Sequence, residues 1–300
     1  MLRYVMAAGA LKAFSVSNAT KGLYRKIGNT IGERTRLAVN DIDIRIERGE
    51  LLLQLCRSHQ AVHDGCRILE IGTGWMHWYS LYLRLFYDIQ VTAFDVWDNR
   101  QFLALQAATQ KLSARFQDMD GISENALANV QKVLHCRNFE EFYREFNYEY
   151  IIEPNGSLNA FSDAQFDFIT SFHVLEHVPA NLVSRGLGEM YRALKPGGYM
   201  VHQIGIDDHL THYDRKASPK QYIRYSDKVW RLFFENDVQY INRWQSSDWI
   251  SAFGDAGFTL VDQISESADI GDLKVNQRFG GYSKDDLACT ILTIVYRKPL

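Results

Sequence analysis

The chain has 300 residues, of which 46% are hydrophobic and 23% are charged, and its formal net charge is −3 at pH 7. Such a chain is long enough to bury a full core, as one large domain or as one domain with a helical appendage. The weak negative charge and the lack of any Lys/Arg run provide no attraction for nucleic acid, so no nucleic-acid partner is expected.

Cysteine spacing and the first residues bear on cellular location. The four cysteines are scattered without paired spacing, which argues against a disulfide framework and a cysteine zinc site and favours the cytoplasm. The opening stretch "MLRYVMAAGALKAF" holds an apolar run of only eight residues between Arg3 and Lys12, too short for a transmembrane segment. We expect it to form an amphipathic helix that packs on the domain, and peripheral membrane contact stays open.

Residues 1–63 are predicted to be an N-terminal helical extension. Within them, "GNTIGERTRLAV" (28–39) is typical of a loop, and a helix is predicted from Glu47 onward. From residue 64 to residue 300, short apolar runs alternate with helix-like segments, which predicts a second, larger domain.

Seven segments of the larger domain have strand character. In chain order they are CRILEIG, IQVTAFDV, EYIIEP, FDFITSF, YMVHQIGI, TLVDQIS and ACTILTIVYRK. Strands that alternate with helices predict an α/β, Rossmann-like, doubly wound sheet. Pro196-Gly197-Gly198 is predicted to be a turn that ends the helix before the fifth strand. Because the segment before the last strand (266–287) is loop-like, that strand can run antiparallel, and a mixed seven-stranded sheet is expected.

Two insertions interrupt this alternation. The first, at about 97–149, is expected to hold two or three extra helices. The second, at about 207–243, is rich in tyrosine, tryptophan and phenylalanine. Long segments of a compact domain often form lids or binding walls.

The stretch "RILEIGTGWMHW" (67–78) joins a strand to a helix through Gly72 and Gly74. Glycines at such a junction let the backbone approach a ligand closely. Asp95 ends the next strand, where ribose hydroxyls are held in folds of this kind. By itself this pattern fits NAD, FAD and S-adenosylmethionine equally.

Two residues of this stretch favour a cofactor without a pyrophosphate. His77 occupies the third glycine position of the dinucleotide fingerprint, where a pyrophosphate needs a small residue. Glu70 would repel a pyrophosphate but can organise a site for a cationic cofactor such as S-adenosylmethionine. The plainer interpretation of Glu70 is a solvated acid at a strand end.

Four linked motifs make the pattern specific. "LEIGTGW", "AFDV", "FSDAQFDFITSFHVLEHV" and "ALKPGGYMVHQI" follow one another between residues 66 and 201. With these motifs the chain resembles the class I S-adenosylmethionine-dependent methyltransferases, in the branch whose fourth strand is followed by "LEHV". The resemblance extends more loosely to residue 297.

The resemblance implies a set of cofactor-binding positions. These are Glu70, Gly72, Thr73, Gly74, Asp95, Val96, Asn155, Ser171 and Phe172. Asp95 would hold the ribose hydroxyls and Val96 would pack on the adenine. Two departures stand out: Met76 occupies the third glycine of the family's fuller pattern, and no acidic residue is obvious after the third strand. Asn155 or Ser157 is the best substitute for that acid near the adenine.

Methyl transfer from a sulfonium is an in-line displacement, in which alignment and exclusion of water matter most. An alcohol acceptor also needs a base, and histidine is the usual base near neutral pH. His173 is the better-placed candidate by analogy with the family's motif. For His177 and Glu176 a structural role in the following helix is the more ordinary interpretation.

A second polar cluster, "HQIGIDDHLTHYD" (202–214), follows the fifth strand. Asp208 and His209 are predicted to be an orienting acid and a base, and with His173 they complete the predicted catalytic residues. A divalent metal ion is possible here, but the sequence fixes no ligand spacing and no metal is predicted. Plain stabilisation of the loop is the remaining interpretation.

Three stretches from this cluster onward sharpen the resemblance: "HQIGIDDHL", "YIRYSDKVWRLFF" and "NRWQSSDWISAFGDAGF". With them the chain resembles bacterial methyltransferases associated with surface glycans and lipid-linked or natural-product sugars. The implied acceptor is a sugar hydroxyl, in a small molecule or glycan whose ring would stack on aromatic side chains. The predicted substrate contacts are His177, His202, Arg224, Arg243 and Trp244. Arg224 would suit an anionic group such as a phosphate.

Other interpretations stay open. The acceptor could be a lipid, a quinone, a natural product or an amine. A methyltransferase-like binding subunit without catalysis and, more weakly, an NAD-dependent reductase are further alternatives. The N-terminal helices could cap the active site or form a homodimer.

Overall fold

The computed structural model describes the backbone of residues 1–36 and 39–300 and the side chains of residues 1–30 and 42–300. In these residues the α-helices are Leu2–Phe14 (α1), Asn18–Arg36 (α2), Val39–Ser58 (α3), Trp78–Phe86 (α4), Phe102–Gln117 (α5), Glu124–His135 (α6), Phe139–Phe146 (α7), Ala180–Ala193 (α8), Asp227–Phe233 (α9), Ser246–Asp255 (α10) and Lys284–Ala288 (α11). The strands are Arg67–Ile71 (β1), Gln90–Asp95 (β2), Tyr148–Ile152 (β3), Phe166–Phe172 (β4), Leu194–Gly205 (β5), Thr259–Ser267 (β6) and Cys289–Arg297 (β7).

The strands form one sheet in the order β3-β2-β1-β4-β5-β7-β6. β1 runs parallel to β2 and β4, and β2 runs parallel to β3. Backbone hydrogen bonds join Gly197 to Lys298 and Ile206 to Thr290, so β7 runs antiparallel to β5. The predicted Rossmann-like, mixed seven-stranded sheet is therefore confirmed. The strand order reverses between β1 and β4, and ligands of such sheets bind where the carboxyl ends of the strands meet such a switch point.

The chain divides into two compact units. The glycine-loop unit consists of Gly28–Phe172, Glu189–Val201 and Val295–Leu300, and the histidine unit consists of Met1–Ile27, His173–Gly188 and His202–Ile294. The division into 1–63 and 64–300 follows the sequence pattern rather than these units and stays a prediction.

The core of the glycine-loop unit lies on both faces of its parallel strands. Ile68 and Leu69 of β1 and Phe168 of β4 are completely buried. Burial on both faces is why these strands have nearly continuous apolar sequences rather than alternating ones. The insertion after β2 holds α5, α6 and α7, in agreement with the predicted two or three helices.

The histidine unit has a separate aromatic core that includes the N-terminal helix. Tyr4, Ala8 and Leu11 recur at helical spacing along α1 and are buried in a cluster with Tyr222 and Trp230. The expected packing of this helix is therefore confirmed. Among the described helices, none combines the length and apolarity needed to cross a bilayer.

Two local predictions were wrong. Residues 28–36, predicted as a loop, continue α2, because each of the two glycines, Gly28 and Gly32, costs only about 1 kcal/mol inside a helix and the neighbouring basic residues are good helix formers. Residues 37–38 of that stretch lie outside the described residues. Pro196-Gly197-Gly198, predicted as a turn, lies inside β5, whose backbone pairs with Lys298. A Cβ on Gly198 would lie 2.9 Å from the Asp167 carbonyl oxygen, so glycine permits this close approach.

Candidate active site

The glycine loop is held against the end of β2 by backbone hydrogen bonds. Gly72 and Gly74 have φ values of 66° and 64°, in the left-handed region that favours glycine. The N–H groups of Gly72 and Thr73 donate to the Phe94 carbonyl oxygen at 2.8 and 3.1 Å. The Gly74 N–H donates to Asp95 Oδ2 at 2.9 Å. The predicted pair of glycine loop and strand-end acid is thus in direct contact.

Asp95 is buried, and its carboxylate serves both the loop and its own turn. Besides the bond from Gly74, Oδ1 accepts a hydrogen bond from the Val96 N–H at 2.7 Å. Burial raises the pKa of Asp95, while these backbone donors act against the rise. A carboxylate offers about four lone pairs, and backbone N–H groups of Gly74, Val96 and Trp97 use three of them, so Asp95 retains capacity for another donor.

Glu70 is completely enclosed, so its interpretation as a solvated acid is wrong. It is 1% exposed and accepts hydrogen bonds from Thr73 Oγ1 at 3.0 Å and from the Ser80 N–H at 3.3 Å. The Ser80 hydroxyl donates to the same oxygen. Burial raises the pKa of Glu70 to about 7 despite these donors. The carboxyl group therefore braces the loop against the first turn of α4.

His77 occupies the N-cap of α4 with a left-handed φ of 50°. Its ring is fully buried, with Nδ1 2.7 Å from Thr73 Oγ1 and Nε2 2.8 Å from the Tyr143 hydroxyl. Because Thr73 already donates to Glu70, the consistent arrangement has Nδ1–H donating to Thr73 and Nε2 accepting from Tyr143. Burial lowers the pKa of His77 to about 3, so the ring is neutral.

The end of β3 supplies an acid that the sequence analysis missed. Glu153 follows β3 directly, and its N–H donates to the Asp95 carbonyl oxygen at 3.0 Å. Its carboxylate accepts from the N–H of the exposed Asn155 at 3.1 Å. Glu153 was not recognised as a candidate, because the apolar pattern placed it inside the strand rather than after it. Trp97, two residues after Asp95 and 37% exposed, is a second residue that the motif comparison did not mark.

Ser171 and Phe172 end β4 inside the glycine-loop unit. Ser171 is fully buried, and the Phe172 ring stacks on Tyr79 with 3.8 Å between ring centroids. Both residues are therefore held rigidly in this unit.

The histidine unit begins with His173, which follows Phe172 in the chain. Its backbone has a left-handed φ of 54°, and its N–H donates to the Gln203 carbonyl oxygen at 2.8 Å. The ring nitrogen Nε2 lies 3.2 Å from Gln203 Oε1, and Nδ1 lies 3.3 Å from Glu176 Oε1. A Cβ on Gly205 would come within 2.7 Å of Glu176 Oε1, so glycine is what allows β5 to approach this pair.

Glu176 is buried among histidines. It is 2% exposed, and its Oε1 accepts from the Gly205 N–H at 3.2 Å. Burial alone would raise the pKa of Glu176, but the hydrogen bond from His173, followed by the charge of His177, holds it below its usual value. The carboxylate is therefore ionised in the interior, and the helix-brace interpretation does not account for its surroundings.

His209 is close to His177 and to Asp207. The ring centroids of His209 and His177 are 5.0 Å apart, and His209 Nε2 lies 3.8 Å from Asp207 Oδ1. Burial, followed by the charge of His177, lowers the pKa of His209 to about 4. His209 is thus a neutral imidazole at neutral pH.

The predicted pairing of Asp208 with His209 does not form. Asp208 is fully buried and accepts hydrogen bonds from the Tyr4 hydroxyl at 2.6 Å and the Leu210 N–H at 3.0 Å. Neighbouring residues of an extended segment point to opposite sides, so Asp207 faces the histidines and Asp208 faces α1. The contact with Tyr4 was not predicted, because Tyr4 lies 204 residues away in the sequence. The position of His209 next to Asp208 in the sequence led to the wrong partner.

Two predicted substrate residues lie in the interior of the histidine unit. His202 is fully buried, 5.4 Å from the Phe253 ring, and burial lowers its pKa to about 3. Arg243 is 9% exposed, pairs with Asp227 and lies 4.9 Å from the Trp230 ring centroid. Contact of either side chain with a substrate is therefore not supported by its position.

The other predicted substrate residues are more accessible. Arg224 is exposed, and Trp244 is partly buried against Trp249. Much of the aromatic-rich segment belongs to the core. Tyr213 and Phe233 are exceptions, with 42% and 56% of their surface exposed.

A family model described as "Methyltransferase domain" matches residues 35–263, which is more than half of the chain. None of the curated proteins compared with this chain matches it.

Several solved structures are similar to the chain. A chain in the complex between the Haloferax volcanii Trm112 methyltransferase activator and a methyltransferase has 16% identity and a TM-score of 0.46, covering 89% of this chain and 98% of that one. A SAM-dependent methyltransferase from Methanosarcina mazei has 19% identity and a TM-score of 0.45, covering 81% and 96%. Haemonchus contortus phosphoethanolamine N-methyltransferase 2 has 14% identity and a TM-score of 0.46, covering 84% and 53%. Likeness at this level carries no argument about substrate.

Proposed function

The chain belongs to the methyltransferase family with S-adenosylmethionine as its methyl donor, and we propose that it methylates a hydroxyl group of a sugar or glycan. The observation that carries this proposal is the contact between the partly exposed His173 and the buried Glu176 directly after β4. Methyl transfer to an amine needs only a neutral nitrogen, whereas an alcohol must lose a proton. An imidazole backed by an ionised carboxylate is suited to remove it.

For the cofactor, we propose that Asp95 holds the ribose hydroxyls and that Val96 packs on the adenine. Glu153 rather than Asn155 is the better candidate for the adenine amino group, because a carboxylate is the stronger acceptor. Gly72 and Gly74 allow the close backbone approach. Glu70 and Thr73 act one step away, because they use their polar atoms to hold the loop.

In the proposed reaction the acceptor oxygen attacks the methyl carbon as the sulfur–carbon bond breaks. The sulfonium becomes a neutral thioether, and the hydroxyl proton moves to Nε2 of His173. In the neutral ring Nδ1–H donates to Glu176 Oε1 at 3.3 Å, so Nε2 keeps its lone pair and is the nitrogen that takes the proton. Gln203 Oε1, 3.2 Å from Nε2, then accepts from the new N–H, and both oxygens stabilise the positive charge that the ring gains. Glu176 is thus a positioning residue for His173.

The choice of a sugar rests on the exposed residues of the same unit. Asp207 and His212 present partly exposed polar atoms that can bond to several hydroxyls. Tyr213 and Phe233 offer exposed ring faces for the apolar side of a sugar. Arg224 is an exposed cation that would suit a phosphate on the acceptor.

A product assay tests the acceptor class. The full chain is incubated with S-adenosylmethionine and panels of free sugars, sugar nucleotides, lipid-linked glycans and primary amines, and products are identified by mass and by NMR of the new methyl group. We expect oxygen-linked methyl groups on sugar acceptors. Methylation of amines alone, by protein that binds S-adenosylmethionine, would contradict the proposal.

A variant tests the base. His173→Asn removes the imidazole but keeps a residue that tolerates a positive φ. We expect kcat to fall by about 10²- to 10⁴-fold with little change in cofactor affinity. His135→Ala, on an exposed histidine of α6, serves as the matched control. Undiminished turnover in His173→Asn would transfer the role to His209.

A further inference from the structure

We propose that Glu176, His177 and His209 form a binding site for a divalent transition-metal ion within the histidine unit. Each residue offers one ligand atom, and the three atoms lie within 4.8 Å of one another. The three residues come from two separate segments of the chain, so the fold rather than a local motif brings them together.

An unpaired carboxylate oxygen is the independent sign of a missing cation. Glu176 is 2% exposed, and its Oε1 accepts from Gly205. Its Oε2 is buried and has no hydrogen-bond partner. A buried charged oxygen without a partner is costly, and a cation at Oε2 would supply that partner.

His177 has its tautomer fixed in the form that binds metal. Its Nδ1 lies 2.6 Å from the Tyr240 carbonyl oxygen, which can only accept, so Nδ1 carries the hydrogen. Nε2 is then left with its lone pair. Metal-binding histidines commonly donate their other ring N–H to a backbone carbonyl in this way.

The chemistry of the three ligand atoms indicates which type of ion would bind. Two imidazoles and one carboxylate suit zinc and other first-row transition ions better than magnesium or calcium, which prefer oxygen. Ligands at about 2.1 Å from one ion are separated by about 3.4 Å in a tetrahedron and about 4.2 Å when opposite each other. The 4.8 Å spread therefore closes by small side-chain rotations.

Three protein ligands leave a further position on the ion. Asp207 Oδ1, 3.8 Å from His209 Nε2, is near enough to provide a fourth ligand or to orient a water molecule. If the proposed function holds, the open position would take the acceptor hydroxyl and lower its pKa. That role rests on the proposed function, whereas metal binding itself does not.

Zinc binding by the full chain tests the site. Tag-free protein is treated with a chelator, dialysed, and titrated with Zn²⁺ by calorimetry. We expect one ion per chain in the unchanged protein and in His135→Ala, and at least tenfold weaker binding in Glu176→Gln and His209→Ala. Absence of zinc binding in the unchanged protein, or unaltered affinity in both variants, would overturn the proposal.

Cobalt spectroscopy on the unchanged protein does not depend on how the variants fold. We expect the intense visible absorption of a four- or five-coordinate Co²⁺ site, and a spectrum like that of hydrated Co²⁺ would contradict the proposal. Cofactor affinity and sugar methylation are measured in parallel. If the protein binds metal but does not methylate sugars, the metal site stands and the proposed function is wrong. If it binds no metal and methylates sugars in the presence of a chelator, the proposed function stands and the metal site is wrong.

Discussion

His77 has the backbone conformation of a glycine and the contacts of a core residue. A left-handed φ costs a non-glycine residue about 1 kcal/mol, whereas the buried ring makes hydrogen bonds of 2.7 and 2.8 Å to Thr73 and Tyr143. Because these contacts exceed the strain, we expect His77→Gly to lower the free energy of unfolding by about 2–4 kcal/mol, measured by urea denaturation. Asn147→Gly is the control, since Asn147 has φ of 57° with an exposed side chain. If His77→Gly is as stable as the unchanged protein, the relief of backbone strain outweighs the lost contacts of the ring.

Asp208 is a buried acid whose hydrogen-bond partner, Tyr4, lies far away in the sequence. Burial raises the pKa of Asp208 to about 7, above its usual 3.8. The folded state therefore holds an extra proton between these values, and stability falls as the pH rises from about 4 to about 7.

Asp208→Asn should remove this pH dependence. The stability of the variant relative to the unchanged protein should increase between pH 4 and pH 7, by at most about 1.4 kcal/mol per pH unit. The measurement is urea denaturation at several pH values, with Asp207→Asn as the matched neighbour. Turnover should persist in Asp208→Asn because the side chain faces Tyr4. A pH-independent difference would argue against the raised pKa.

At the scale of elements, Lys220 joins three of them in the histidine unit. Its fully buried ammonium donates to the Ile206 carbonyl after β5, the Cys289 carbonyl at the start of β7 and Gln245 Oε1 at the N-cap of α10, at 2.8–2.9 Å. Burial lowers the pKa of Lys220 to about 7. The unfolded chain then binds more protons between pH 7 and about 10.5, so stability should rise with pH in that window.

Lys220→Met tests this junction, since it keeps the length and removes the donors. We expect a loss of about 3–5 kcal/mol near pH 7, because buried acceptors lose their partner. The rise in stability between pH 7 and pH 9 should also disappear in the variant. Thermal and urea unfolding at both pH values provide the measurement. Retention of the same slope in Lys220→Met would assign it to other groups.

The sequence was sufficient for elements whose pattern is local. Buried parallel strands have short apolar runs, and the glycine loop and Asp95 have a fixed spacing, so both were predicted. The environment of Asp208 was not predicted, because it depends on Tyr4 far away in the chain. Glu153 was missed because apolar periodicity does not define the last residue of a strand. The Glu176–His209 grouping likewise arises only when two distant segments fold together.

For the whole molecule, buried groups set the response to acid. Three histidines have lowered pKa values: the fully buried His77 and His202 at about 3, and the largely enclosed His209 at about 4. Three buried carboxyls have raised pKa values: Glu70 and Asp208 at about 7, and Asp95 in the same direction. The histidines make stability fall as the pH drops below about 6.5, whereas the carboxyls make it rise over the same range. The carboxyls therefore offset part of the loss between about pH 4.5 and pH 6.5.

Below about pH 4.5 this offset ends, because the carboxyls are then protonated in the unfolded chain as well. Down to about pH 4 the three histidines are charged mainly in the unfolded chain, and their combined slope is about 4 kcal/mol per pH unit. Below about pH 4 only His77 and His202 contribute fully, and the slope is about 3 kcal/mol per pH unit. Glu176, with its lowered pKa, adds to the loss. We therefore expect a shallow decline of the urea midpoint from pH 6.5 to pH 4.5 and steep, cooperative unfolding below it, followed by circular dichroism and tryptophan fluorescence. A decline as steep above pH 4.5 as below it would show that the carboxyls do not offset the histidines, and a fold that persists at pH 3 would contradict the lowered pKa values of the three imidazoles.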